Sequence, residues 1–513
     1  MGQGGVFSVH VTDLNHSGEG VGRKDGRVVF VPYAAPGDAA VVRIVEERRG
    51  FARAELLSLE KESPARVLPP CPVYFQCGGC QLQHISYDAQ LAYKRRRVEQ
   101  ALRRIGKFDD IPLRDCLAAP SVFHYRNKAR FSYSARRGGE TGFVSGFYGR
   151  RTHDVVDFNE CLIQHRTNNE VFQALNALLA RRGTPVWSGD VRELGAAGGS
   201  GVCAAADPHA ESGRVRARPP RRGALKHLVT RCNRDGEQAL AVLVPGDGHL
   251  NEVEQIADEL MVAVPKLVGV VEEVEEVEPA ARGAEEPGQG SRLRQSRRAA
   301  PRVVKGVGFF RERILGLEFM VSADSFLQVN PEGMEVLYNE VLRAADLSGG
   351  EVALDAYCGV GSISLVLARR CRQVFGIEEV RSAVADARRN AALNSLTNCD
   401  FIAGKVEDVL ATEFEGAAGG PAQAASCLPR SVDVVVLDPP RAGCDAKALR
   451  ALAFLEPSRI VYVSCDPETL ARDLRILAGI GYKLASVQPV DMFPQTAHVE
   501  TVVLMSSPGS DRV

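Results

Sequence analysis

No stretch of this 513-residue chain is an unbroken apolar run near the ~20 residues that a membrane span needs. The N-terminus MGQGGVFSVHVTD lacks a basic segment followed by an apolar one, so no secretory signal is expected and the cytoplasm is the expected compartment. Net charge is only −1, so the total announces no polyanionic partner. There is no internal repeat, and the Gly-rich turn described below is not the full GxGxxG of dinucleotide binders. Without an export signal, thirteen cysteines argue for thiols, ligands or catalysis rather than a disulfide framework.

What is present is an ordinary globular composition, 45% hydrophobic and 25% charged, long enough for about three domains. The charge is unevenly spread. Lys94, Arg95, Arg96, Arg97, Arg103, Arg104 and Lys107 crowd one helical segment. Arg126, Lys128, Arg130, Arg136, Arg137, Arg150 and Arg151 follow, interleaved with Phe123, Tyr125, Phe131, Tyr133, Phe147 and Tyr148. Cations among aromatics suit phosphate contact and base stacking, and equally a solvated basic face. The acidic run EEVEEVE (272–278) hides this basicity in the total.

Along the chain, short apolar runs separated by HSGEGVGRKDG and APGD predict a small OB-like barrel in the first 60 residues. A cysteine cluster occupies 71–90, and 88–108 reads as a helix with a glycine stop. From 120 to 165 and from 225 to 271 the pattern is strand-like, predicting a β-rich central domain. Segments 190–223, 278–302 and 415–426 read as insertions. From about 303, strands and helices alternate to the end, predicting a doubly wound, Rossmann-like α/β domain with an antiparallel final strand. The expected division is 1–62, 63–302 and 303–513.

In an open α/β sheet, ligands bind beyond the carboxyl ends of the strands. Asp355-Ala-Tyr-Cys-Gly-Val-Gly361 occupies that place after the first strand, where glycines let backbone approach a ligand. Tyr357 lies within this turn. One unit later Glu378 can accept hydrogen bonds from ribose hydroxyls, which favours S-adenosylmethionine over NAD. Asp438 ends an apolar strand in VVLDPPRAG (435–443), where two prolines stiffen the loop. Cys465, in VYVSCDPETLARD, lies between a strand and the helix start at Pro467 and Glu468, a position that favours a nucleophilic thiolate. Cys71, Cys77 and Cys80 read C-x5-C-x2-C, and with a fourth thiolate they suit zinc or a [4Fe–4S] cluster equally.

FLQVN (326–330), DAYCGVG, GIEE, LDPPR, VSCDPETLARD and HVETV, in this order, resemble the RNA 5-methyluridine methyltransferase family. Within that family the first 60 residues resemble an RNA-binding TRAM barrel, and the cysteines resemble the iron–sulfur branch. The resemblance implies that Cys465 adds to carbon 6 of a uracil and that Glu500 removes the carbon-5 proton. It assigns cofactor contacts to Gln328, Tyr357, Glu378 and Asp438, with Ser362 and Lys405 near further such positions. It makes Cys161 the fourth cluster ligand, with Cys116 and Cys232 as alternates, and favours [4Fe–4S] over zinc. It also implies that the helix 88–108 packs on the last domain. A TRAM-like barrel with four cysteines resembles the branch that modifies 23S rRNA. Transfer RNA, cytidine as the target base, and a non-catalytic RNA-binding Fe–S protein are the competing expectations.

Overall fold

Alternating apolar and polar residues curl the start of the chain into five strands, β1 (Val6–Leu14), β2 (Gly20–Lys24), β3 (Arg27–Val31), β4 (Ala39–Glu47) and β5 (Phe51–Lys61). In the computed structural model they close into a barrel in the order β1-β2-β3-β5-β4 around Val9, Val11, Val29, Val31 and Val42. Gly22 allows the close β1–β2 crossing, because a Cβ there would lie 2.4 Å from a Val9 methyl. The structure describes residues 4–136, 142–187, 223–276, 297–298, 301–415 and 428–507. Most of the three expected insertions, and Arg137, lie outside the described residues.

The central domain is a seven-stranded sheet. Its strands are β6 (Lys128–Ala135), β7 (Phe143–Tyr148), β8 (Val155–Asp157), β9 (Leu225–Cys232), β10 (Ala239–Pro245), β11 (Leu267–Glu272) and β14 (Arg302–Gly306). A two-residue pair, β12 (Glu275–Glu276) with β13 (Arg297–Arg298), lies apart from it. The order is β14-β11-β10-β9-β6-β7-β8. Position 302 therefore lies inside an edge strand of this sheet. Two helices, α2 (Arg166–Arg182) and α3 (Val253–Ala263), share the sheet's apolar core. The strand-like reading of 225–271 passed over α3, although Val253, Ile256, Ala257 and Leu260 mark its buried face.

Helix α1 (Tyr87–Ala101) precedes that sheet in sequence but docks on the C-terminal lobe. It continues as one π-turn, Leu102–Gly106, and Lys107 takes the left-handed cap at φ +61°. Gly106 is thus not the cap. A Cβ there would meet the Phe108 ring at 2.7 Å, so close packing requires the glycine. Lys94 and Asp491 form an ion pair with both side chains fully buried. Arg97 adds bonds to the Ala497 carbonyl and to Glu468, both 2.9 Å.

The C-terminal lobe begins with a hairpin, β15 (Phe309–Ile314) and β16 (Leu317–Ser322), then α4 (Pro331–Ala345). Its strands are β17 (Val352–Ala356), β18 (Gln373–Glu378), β19 (Cys399–Ala403), β20 (Val434–Leu437), β21 (Arg459–Ser464), β22 (Lys483–Val490) and β23 (Glu500–Ser506). The connecting helices are α5 (Ser362–Ala368), α6 (Arg381–Leu393), α7 (Val406–Glu415), α8 (Ala446–Leu452) and α9 (Pro467–Gly479). The order β19-β18-β17-β20-β21-β23-β22 is parallel except for β23, the antiparallel final strand that the sequence predicts. Strand order reverses between β17 and β20, the switch point at which such sheets bind ligands. Among the described residues no helix is long and apolar enough to cross a membrane.

Candidate active site

A cavity of about 1110 Å³ opens at that switch point. Its lining includes Cys465, Glu500, Gln328, Tyr357, Ser362, Glu378, Lys405 and Asp438, all eight non-metal residues singled out by sequence. They come from at or just beyond the carboxyl ends of five strands, from the start of β23 and from the FLQVN loop, which Asn330 ties down by capping Gly333 N–H and donating to the Met492 carbonyl.

After β17 the chain turns sharply. Tyr357 sits at φ +98°, a costly conformation for an aromatic residue, and donates its N–H to the Ile377 carbonyl at 3.0 Å. Such strain persists only where surrounding bonds enforce it, and Cys358 N–H reaches the same carbonyl at 2.9 Å. Asp355 is fully buried and accepts the Ser364 hydroxyl at 2.5 Å. Its other oxygen has no protein partner, and burial lifts the acid to about 7. Glu378 accepts Gly359 N–H at 3.1 Å and Val380 N–H at 2.8 Å, which orient its carboxylate at the turn. Ser362 and Tyr338 share a hydroxyl bond of 2.7 Å. An orphaned buried acid oxygen, a second anchored acid and a glycine turn fit an amine-bearing, ribose-bearing cofactor of the S-adenosylmethionine type.

Cys465 follows β21 directly. Asp466 caps α9 by accepting Glu468 and Thr469 N–H groups, both 3.1 Å, and Pro467 opens the helix. Burial, then the charges of Glu500, Asp438 and Asp466, push the Cys465 thiol up to about 11, and Arg441 opposes them. Glu500 opens β23 and is only 2% exposed. Burial and Asp438 lift it to about 8, again against Arg441. Asp438 itself is raised to about 7 by burial and by Asp355.

Two lining residues escaped the sequence reading. Arg441 donates to His498 at 3.2 Å, and burial beside Arg441 lowers His498 to about 4, so this imidazole is neutral. The Arg441 loop is pinned to α9. Thr469 donates to the Arg441 carbonyl at 3.1 Å, Arg472 to the Ala442 carbonyl at 2.8 Å, and Cys444 N–H to buried Asp473 at 2.8 Å. The signal was present in the motifs themselves, since Arg441 completes LDPPR and His498 stands two residues before Glu500.

The structure gathers Cys71, Cys77, Cys80 and Cys161 closely enough that their charges raise one another. Burial pushes Cys161 up to about 12 and Cys80 higher still. Gly79 N–H points at the Cys77 sulfur at 3.4 Å. Cys116 lies instead beside Lys94 and Asp491, and Cys232 beside Glu312. Among the described residues, no three His, Cys, Asp or Glu side chains already stand at the spacing of a single-ion site.

A doubly wound sheet with this cofactor turn, fronted by a basic, aromatic-rich domain and a small barrel, defines an S-adenosylmethionine-dependent RNA methyltransferase. Comparison with known proteins agrees. Residues 313–507 match the tRNA (Uracil-5-)-methyltransferase family, and residues 3–57 match the TRAM domain. The chain is 37% identical to an RNA methyltransferase of Halalkalibacterium halodurans, covering 98% of this chain and 96% of that one. It is 35% identical to an RNA methyltransferase of Synechocystis, covering 98% and 96%. Among solved structures, the Pyrococcus abyssi tRNA (uracil-54, C5)-methyltransferase bound to S-adenosyl-L-homocysteine matches with a TM-score of 0.67 at 25% identity, covering 97% of this chain and 100% of that one. The chain belongs to the RNA uracil-5 methyltransferase family and carries an N-terminal TRAM domain.

Proposed function

We propose that this enzyme methylates carbon 5 of a uridine in 23S rRNA, with Cys465 as nucleophile and Glu500 as base. The observation that carries the reading is the shared cavity, in which a thiol, a desolvated carboxyl and an arginine face the cofactor turn. Carbon 5 of uracil is a poor nucleophile. Addition of the Cys465 thiolate to carbon 6 makes an enolate, and carbon 5 becomes nucleophilic. When bound, S-adenosylmethionine supplies an electrophilic methyl group to that carbon. Gln328, Tyr357, Ser362, Glu378, Lys405 and Asp438 hold the cofactor. Glu500 then takes the carbon-5 proton, which allows Cys465 to leave. A base poised near 8 is suited to this step, because it is strong enough to accept the proton and still ionises near neutral pH. Arg441 favours both the thiolate and the carboxylate.

Cys71, Cys77, Cys80 and Cys161 are the proposed ligands of a [4Fe–4S] cluster, with zinc as the alternative. Their mutual proximity and the N–H group aimed at sulfur support four thiolates held around one cationic group. Methyl transfer needs no electron, so the group is a structural staple for the loops that face RNA. The corresponding functional division is a barrel over 1–62, a cluster-bearing central domain that runs past the expected boundary at 302 through β14 to Gly306, and a catalytic lobe from there to 513.

The four cysteines with the barrel support 23S rRNA. The whole-chain likeness to the Pyrococcus abyssi tRNA enzyme supports transfer RNA as the second reading. Tritium release from carbon-5-labelled uridine in unmodified 23S rRNA and tRNA transcripts separates them. Release from 23S rRNA alone, absent in Cys465→Ala, is the expected result. Release from tRNA alone keeps the chemistry and overturns the substrate.

A further inference from the structure

A second cavity, of about 400 Å³, lies between the cysteine loop and strands β6 and β7. Its size falls in the roughly 300–1,000 Å³ range of small-ligand sites. We propose that it is a subsite for one unpaired nucleotide of the substrate RNA, outside the active-site cavity. The proposal deepens the reading above and rests on it.

The lining carries the groups a nucleotide needs. Arg130 is exposed on β6 and has no ion-pair partner among the described residues. Arg150 and Arg151 both donate to Glu19 of the barrel, each at 3.0 Å. Glu19, which Arg53 also approaches at 3.8 Å, holds Arg150 and Arg151 but not Arg130, so the lining carries an excess of positive charge that a phosphate would complement. Tyr148 is 39% exposed at the end of β7 and offers a ring for base stacking. Polar groups line the cavity as well. His227 and Ser132 are buried there and hydrogen-bonded to each other at 3.2 Å. Burial lowers His227 to about 3, so the imidazole is neutral.

One loop connects the two cavities. Gly78 and Gly79 wall the second, and Gly78 N–H donates to the Tyr148 carbonyl at 3.0 Å. A few residues on, Gln81 and Leu82 N–H groups both donate to the Gln495 carbonyl at 3.0 Å, three residues before His498 in the active-site lining. An RNA that presents one uridine to Cys465 is thereby gripped at a second nucleotide held at a fixed distance. Recognition then depends on how two unpaired nucleotides are spaced, which is shape readout rather than sequence readout.

The test uses 23S rRNA and tRNA transcripts in which 5-fluorouridine replaces uridine, with S-adenosylmethionine and the whole protein. Fluorine replaces the proton that Glu500 would remove, so elimination stops and the Cys465 adduct accumulates. The RNA concentration giving half-maximal adduct is measured against salt. Arg130→Ala is expected to raise that concentration about tenfold and to reduce the salt slope by about 1. Tyr148→Ala is expected to raise it on the order of tenfold with the salt slope unchanged. Lys305→Ala removes a cation from the opposite edge strand of the same sheet and is expected to behave as wild type. Wild-type behaviour of both Arg130→Ala and Tyr148→Ala, or an equal shift in Lys305→Ala, would overturn the subsite. No adduct from wild type with either RNA would instead overturn the catalytic reading on which it stands.

Discussion

Replacing Glu500 by Gln tests the chemistry at its most exposed point. The variant keeps the size and polarity of a side chain that is 2% exposed, and it removes only the ability to take a proton. General-base catalysis contributes about 10²–10⁴-fold, or roughly 3–5 kcal/mol of barrier. Tritium release should fall by that factor, while thiol addition and methyl transfer, which do not use the carboxylate, persist. An enzyme–RNA adduct carrying labelled methyl, stable to denaturant, should therefore accumulate in Glu500→Gln and not in wild type. The pH profile supplies the second half of the argument. The active form is the carboxylate, and burial raises its pKa to about 8, so activity is lost as pH falls through that value. At pH 7 roughly a tenth of the groups are ionised, and proton release followed from the methylated adduct already formed, a step that no longer depends on the Cys465 thiolate, should rise about tenfold between pH 7 and 9. Glu500→Gln should lack this inflection. Wild-type release rates in the variant, with no methyl-labelled adduct, would refute the assignment.

Lys94→Met leaves Asp491 buried and unpaired, with one oxygen already lacking a partner, and should cost about 3–5 kcal/mol. A fall in Tm, partly restored in the double variant Lys94→Met/Asp491→Leu, checks it. Glu378→Ala removes the acid proposed to meet the cofactor ribose, and calorimetry with S-adenosylhomocysteine should show at least about tenfold weaker binding. Unchanged affinity would move the ribose elsewhere. Anaerobically purified protein should contain about four irons per chain with visible absorption, both lost in Cys80→Ser. Stoichiometric zinc without iron would replace the cluster by a single ion.

The parts legible in the sequence were those encoded within a few neighbouring residues. The DxxCGxG turn, Glu378, Asp438 and Cys465 each end a strand, and a rule about strand ends sufficed to bring them together. The barrel was equally local, because its strands and turns follow directly in sequence. Arg441 and His498 were missed as a pair because their bond spans 57 positions and involves no shared motif. The same holds for the Lys94–Asp491 pair that docks α1. Helix α3 was overlooked because buried strands beside it gave the whole stretch an apolar look. Gly106 misled in a different way, because packing rather than a left-handed turn requires a glycine there.

The Lys94–Asp491 pair also sets a timetable for biosynthesis. Its members are 397 positions apart, and the loop from Asp491 to His498 is held by α1 and by the cysteine loop. At roughly 5–20 residues per second, Asp491 is made about 20–80 s after Lys94. During that interval α1 has emerged with a lysine destined for a dry interior and nothing to neutralise it. The helix cannot commit early, and the nascent chain must keep an amphipathic, arginine-rich segment in water until its partner arrives. Glu500 is made later still, nine positions after Asp491. Closure of the lobe and completion of the proposed Cys465–Glu500 pair therefore fall at the same moment of synthesis, so an unfinished chain lacks the assembled thiol–carboxyl pair.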